Sequence, residues 1–149
     1  MIPNEKKKLS IALIVLGSSA LIIAGWILVS QWERIGYLDS AIASMRVLVA
    51  AEATFAQAHP DIGYACTLSA LPSDELTAQL VKNGRKNGYV FEIGRCPSEG
   101  VRGPASKYQL TARPLVTGMP AFCSDQTGVV KYDESGSIQK CLESGVPMG

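Results

Sequence analysis

The chain has 149 residues, 47% of them hydrophobic and 18% charged, with a formal net charge of +1. That length suits one modest domain plus an appendage rather than several domains. The near-neutral balance lacks the clustered Lys and Arg of a nucleic-acid-binding protein, so no nucleic-acid partner is expected.

In chain order, the first feature is a basic run, Lys6, Lys7 and Lys8, against Glu5. Leu9 to Ser30 then contains no charged residue. As a helix it would span roughly 33 Å, slightly more than a ~30 Å hydrocarbon core. A cleaved signal peptide has a shorter apolar region and a small-x-small cleavage site. This segment is longer and ends in Trp26 and Trp32, a residue type that favours the membrane–water boundary. The pattern predicts an uncleaved single-pass helix with the lipid bilayer as a partner. Lys6–Lys8 on one side, against Glu33 and Arg34 on the other, predict a cytoplasmic N-terminus by the positive-inside rule. The expected organisation is a basic N-terminus at 1–8, a transmembrane helix at 9–30 and an extracytoplasmic domain at 31–149.

From Trp32 to Ala58 there is no proline and one glycine, Gly36. Leu38, Ile42, Met45, Val49 and Phe55, with Leu48 beside them, recur at helical spacing and form one apolar stripe, while Asp39, Arg46, Glu52 and Gln57 are assigned mainly to other faces. The stripe is read as core, because it covers too few heptads for a coiled-coil seam. His59-Pro60 predicts the helix stop, since the residue before proline is disfavoured in helix. The spacing predicts a short helix from Ser73, as N-cap, to Asn83, stopped by Gly84. Strands are expected at Tyr89–Ile93, Tyr108–Leu115, Ala121–Ser124, Val129–Tyr132 and Ile138–Cys141, separated by Gly, Pro and Asp turns, with Pro114 at a strand end or edge. The fold class is therefore α+β: a long N-terminal helix, half transmembrane and half amphipathic, packed on a small antiparallel β-sheet.

Cys66, Cys96, Cys123 and Cys141 all lie beyond the apolar segment. An even number of cysteines in an extracytoplasmic domain predicts disulfides. Of the three possible pairings, Cys66–Cys96 with Cys123–Cys141 makes local closures. A zinc site is disfavoured, because there is no CxxC pair and His59 is the lone histidine. No catalytic, cofactor or metal constellation emerges. His59 reads as structural or exposed, Ser124-Asp125 lacks a second histidine for a triad, and Asp125 reads as a turn residue closing at Gly128. Asp133-Glu134-Ser135-Gly136 lacks the alternating ligands of a calcium loop. Gly84-Arg85-Lys86-Asn87-Gly88 lacks phosphate-loop spacing and reads as a connecting loop. The chain is read as a non-enzyme without cofactor.

Five stretches carry a family resemblance. Ala41-Ile42-Ala43-Ser44-Met45-Arg46 through Ala51-Glu52-Ala53-Thr54-Phe55-Ala56 resembles the helix of type IV pilins. Tyr64-Ala65-Cys66-Thr67-Leu68, then Gly88-Tyr89-Val90-Phe91 and Tyr108-Gln109-Leu110-Thr111-Ala112, and finally Phe122-Cys123-Ser124-Asp125-Gln126-Thr127-Gly128-Val129-Val130, are similar to segments of pilin-like proteins. The resemblance covers roughly residues 38–141. The chain departs from the pattern at its start: no glycine follows Lys6–Lys8 and no acidic residue lies within 9–30, which marks an atypical or minor member without the usual cleavage motif. The resemblance implies a membrane-anchored structural subunit of a type IV filament or type II secretion-like assembly. It would sit in the bacterial inner membrane with its domain periplasmic or extracellular. Its partners would be other pilin-like subunits, envelope assembly proteins or copies of itself through the helix. The alternative is a bitopic envelope protein whose outer domain binds a partner or ligand without entering a filament.

Overall fold

The computed structural model describes residues 4–72, 78–94, 96 and 103–148, with side chains described in the N-terminal helix at 22, 23, 25–27, 29 and from 32 onward. The elements in order are α1 (Asn4–Ala58), a 3₁₀ turn (Leu68–Ala70), α2 (Ala78–Asn83), β1 (Arg85–Lys86), β2 (Tyr89–Gly94), β3 (Gln109–Pro114), β4 (Ala121–Asp125), β5 (Lys131–Asp133), α3 (Ile138–Ser144) and β6 (Val146–Pro147). The chain divides into two units, residues 1–36 and 37–149. The architecture is α+β, as the sequence predicts at that level.

In the first unit, Ile22, Ile23, Trp26, Val29, Trp32 and Ile35 are exposed. Among the described residues no helix is long and apolar enough to cross a membrane. This overturns the expected localisation as a single-pass inner-membrane protein with an external domain. The side chains of Lys6, Lys7 and Lys8 and most of Leu9–Ser30 lie outside the described residues.

The second unit is built on a six-stranded antiparallel sheet in strict chain order, β1-β2-β3-β4-β5-β6. β2 and β3 pair along their whole length, from Tyr89↔Pro114 to Gly94↔Gln109, and β3 pairs β4 with Leu110↔Ser124 and Ala112↔Phe122. Side chains alternate between faces. Tyr89, Phe91, Leu110, Ala112 and Phe122 share one core with Ala41, Met45 and Leu48 of α1, flanked by the half-buried Leu38, Ile42, Val49 and Phe55. Cys123 points to the other face, where it is bonded to Cys141 of α3. β4 is thus covered on both sides, and four of its five residues, Ala121–Ser124, are buried.

The stop before Pro60 falls where expected, with α1 ending at Ala58. Gly84 ends α2 with φ +61°; the expected start of that helix at Ser73 lies outside the described residues. Two expectations change. The segment 84–88 is a hairpin rather than a loop: Asn87 (φ 42°) and Gly88 (φ 75°) both take positive φ, as a two-residue hairpin turn between twisted strands requires. Ile138–Cys141, expected as a strand, is the start of α3. Ser137 caps it by accepting from the Lys140 N–H at 3.3 Å, and Ile138, Cys141 and Leu142 repeat at helical rather than strand spacing. Replacing this cap, Ser137→Ala, is expected to lower stability by about 1 kcal/mol, read as a shift of the urea midpoint at unchanged slope; no shift would remove the cap from the account of α3.

Candidate functional site

The face of α1 that meets the sheet carries two buried polar side chains, Ser44 and Glu52, and Glu52 is 0% exposed. Glu52 follows Leu48 by four residues and Met45 by seven, so helical geometry puts it on the core face. The assignment of Glu52 to another face of the helix is therefore corrected. One carboxylate oxygen, Oε2, accepts from the Ala65 N–H at 2.9 Å. The other, Oε1, is buried and has no hydrogen-bond partner. Burial pushes the Glu52 carboxyl up from 4.5 to about 7, against the opposing pull of the Ala65 N–H.

Ala65 is delivered by a tightly folded segment after the helix. The His59 carbonyl accepts from Ile62 N–H and Gly63 N–H at 3.0 and 2.8 Å. Gly63 then adopts φ +78°, and a Cβ there would meet the Ala105 carbonyl oxygen at 2.2 Å, so only glycine fits. Tyr64 N–H donates to the Ala105 carbonyl and Ala105 N–H to the Ile62 carbonyl, at 3.0 and 2.8 Å. These bonds fix the chain so that Ala65, itself buried, presents its N–H to Glu52.

The carbonyl of the same Ala65 accepts from the Cys96 thiol at 3.5 Å. Glu52 and Cys96 therefore hold the N–H and the C=O of one residue. Cys66, next in the chain, is exposed and donates to the Tyr64 carbonyl at 3.8 Å. The Cys66 and Cys96 side chains lie within hydrogen-bonding reach of each other, and burial, Cys66 and the Glu52 charge together push the Cys96 thiol up to about 12. Tyr108, buried, packs its ring against that of Tyr64, with centroids 4.8 Å apart and planes tilted by 51°. Its hydroxyl is pushed up by burial first, then by Glu52, Tyr64 and Asp125, and is pulled down by Ser124. One carboxylate, two thiols and two phenols thus converge where the end of α1 meets the sheet.

Of the four cysteines expected in disulfides, Cys123 and Cys141 are bonded, while Cys66 and Cys96 are free thiols directed at backbone carbonyls. The expected Cys66–Cys96 bridge is corrected accordingly. Trp26 and Trp32 are exposed side chains of the first unit. His59 is exposed, with its ring 4.5 Å from Phe55. The Ser124 hydroxyl donates to the Val129 carbonyl at 3.0 Å, and Asp125 Oδ1 accepts from the Thr127 N–H at 2.9 Å; the two do not act on each other. Asp133 Oδ1 accepts from Ser135 and Ser137 N–H groups, closing the turn before α3. Among the described residues no group of three His, Cys, Asp or Glu could hold a metal ion. An open groove of about 700 Å³ beside Gln109, Ile138, Gln139, Leu142 and Glu143 brings no nucleophile to its described lining.

Comparison with family models, with curated proteins and with solved structures returns no match.

Proposed function

We propose that this chain is a pilin-like structural subunit that works by self-assembly, with copies packing through the helix of residues 22–35, as in a type IV filament or a type II secretion-like assembly. The observation that carries this reading is the set of exposed apolar side chains on that helix. Ile22, Ile23, Trp26, Val29, Trp32 and Ile35 are all exposed, and at helical spacing they spread over more than half of the circumference. A helix apolar on so many sides is buried in its working state. A groove on a single partner covers one face; a bundle of identical helices covers all of them. Gly25 and Gly36 have nothing within 4 Å of where a Cβ would stand, so backbones can approach closely there. The amphipathic continuation at 37–58 on an antiparallel sheet supports the same reading by analogy of architecture, which alone does not fix function.

Sedimentation of the full chain should show large assemblies, elongated by negative-stain microscopy. The double substitution Ile22→Asp with Trp26→Glu should give monomers with an unchanged far-ultraviolet circular dichroism spectrum. A monomeric parent chain, or a double variant that assembles as well as the parent, would overturn the proposal.

A further inference from the structure

The site at the end of α1 holds two features that an assembly role does not use: a pair of free thiols and a fully buried carboxylate with one oxygen unpartnered. We propose that Cys66, Cys96 and Glu52 form a dithiol site that reduces organic disulfides, Cys66 attacking from the surface and Cys96 closing an intramolecular bridge. This goes beyond the assembly reading and does not depend on it.

The division of labour follows from placement. Cys66 is exposed, whereas Cys96 is half-buried behind it, so an incoming disulfide meets Cys66 first. The Cys66 thiolate attacks one sulfur of R–S–S–R. A Cys66–S–S–R bond forms, the original S–S bond breaks, and the departing RS⁻ takes up the proton that Cys66 gave to solvent. The Cys96 thiol then passes its proton to the Glu52 carboxylate, and its sulfur attacks Sγ of Cys66. The Cys66–Cys96 bond forms and the second RS⁻ leaves, protonated by Glu52. Two electrons pass from the protein dithiol to the organic disulfide, giving two RSH and one protein disulfide.

The second step explains the carboxylate. A thiol held near 12 supplies almost no thiolate at neutral pH, and only the thiolate attacks. It needs a base with real proton affinity at that pH. An exposed carboxylate has little, but Glu52, raised to about 7 by burial, has the affinity a general base requires. Glu52 and Cys96 are held to a common residue by the 2.9 Å and 3.5 Å bonds to Ala65. The other titratable groups that feel the charge of this carboxylate are Cys96 and Tyr108, with Cys66 beside Cys96 and with Tyr64 and Asp125 acting on Tyr108. Burial pushes the Tyr108 hydroxyl up, away from the neutral range, whereas it brings Glu52 into that range.

The test uses the full chain with Cys66 and Cys96 reduced, the Cys123–Cys141 bridge intact by peptide mapping, and oxidised glutathione as the probe, followed by intact mass. The parent chain should lose the mass of two hydrogen atoms without a lasting adduct. Cys96→Ser should accumulate one glutathione, mapped to Cys66, and Cys66→Ser should react far more slowly. Glu52→Gln should slow ring closure by about a hundredfold at neutral pH and abolish an inflection near pH 7 in the closure rate. Equal reactivity of Cys66→Ser and the parent, or a parent that stalls at the mixed disulfide, would overturn the dithiol site. Should the Glu52 variant not fold, the parent's own profile decides: a closure rate rising with pH without an inflection near 7 removes Glu52 as the base.

Discussion

Glu52→Gln is expected to raise the unfolding free energy of the 37–149 unit by about 3 kcal/mol at pH 8 and by under about 1 kcal/mol at pH 5. The sign follows from the direction of the shift. Glu52 rises from 4.5 to about 7 because it is desolvated on the core face of α1. The folded chain therefore holds a proton that the unfolded chain has released between those pH values. The stabilising effect of that proton is complete below 4.5 and is lost as pH rises through about 7. Above 7 the folded state carries a buried charge that its bond to Ala65 only partly offsets. Glutamine retains the acceptor for the Ala65 N–H and cannot ionise. Urea unfolding of parent and variant across pH 5 to 8 reads the difference directly. A gap between the two proteins that does not change with pH would mean that Glu52 is not neutralised by burial.

Removing the Cys123–Cys141 bridge by a double substitution to Ala is expected to lower stability by about 3 kcal/mol, the loop-closure value for the 18-residue separation. The bridge joins β4 to α3 across the face of the sheet opposite α1. Both sulfurs are buried, so the lost packing adds to the loss rather than relieving it. Calorimetry of the double variant should show a clear fall in Tm with the far-ultraviolet spectrum intact at low temperature. A Tm within a degree of the parent would mean that α3 is held on β4 by packing alone. The bridge is also the natural control for the dithiol at Cys66 and Cys96. It is enclosed between two layers and should stay oxidised under the mild conditions that keep Cys66 and Cys96 reduced.

What the sequence made legible follows from how local each signal is. The helix stop before Pro60, the glycine after Asn83 and the central strands were readable, because each depends on a few neighbouring residues. The Asn87-Gly88 hairpin was also written locally, but Arg85 and Lys86 offered too short a run to be taken as a strand. Ile138–Cys141 alone reads as a strand; continuing to Leu142 reveals the three-and-four spacing of α3. Glu52 carries two opposed signals. Its position in the helical phase puts it squarely between Leu38 and Leu48 on the buried stripe, whereas its charge points to solvent. A charged residue at the centre of an apolar stripe is itself the signal. The closeness of Cys96 to that carboxylate had no local trace, since it arises only when the segment after α1 folds back onto Ala105. The reading of residues 9–30 as a bilayer span rested on apolar length, which the described part of α1 does not supply.

The sheet itself bears on how copies of this chain can meet. Its two outermost strands have only two residues each, Arg85–Lys86 at one border and Val146–Pro147 at the other. A border so short offers few open backbone groups to an incoming strand. Two cationic side chains guard the first, and the second ends on a residue with no N–H to give. Growth by adding strand to strand, the route to amyloid-like stacking, is disfavoured at these two short strands.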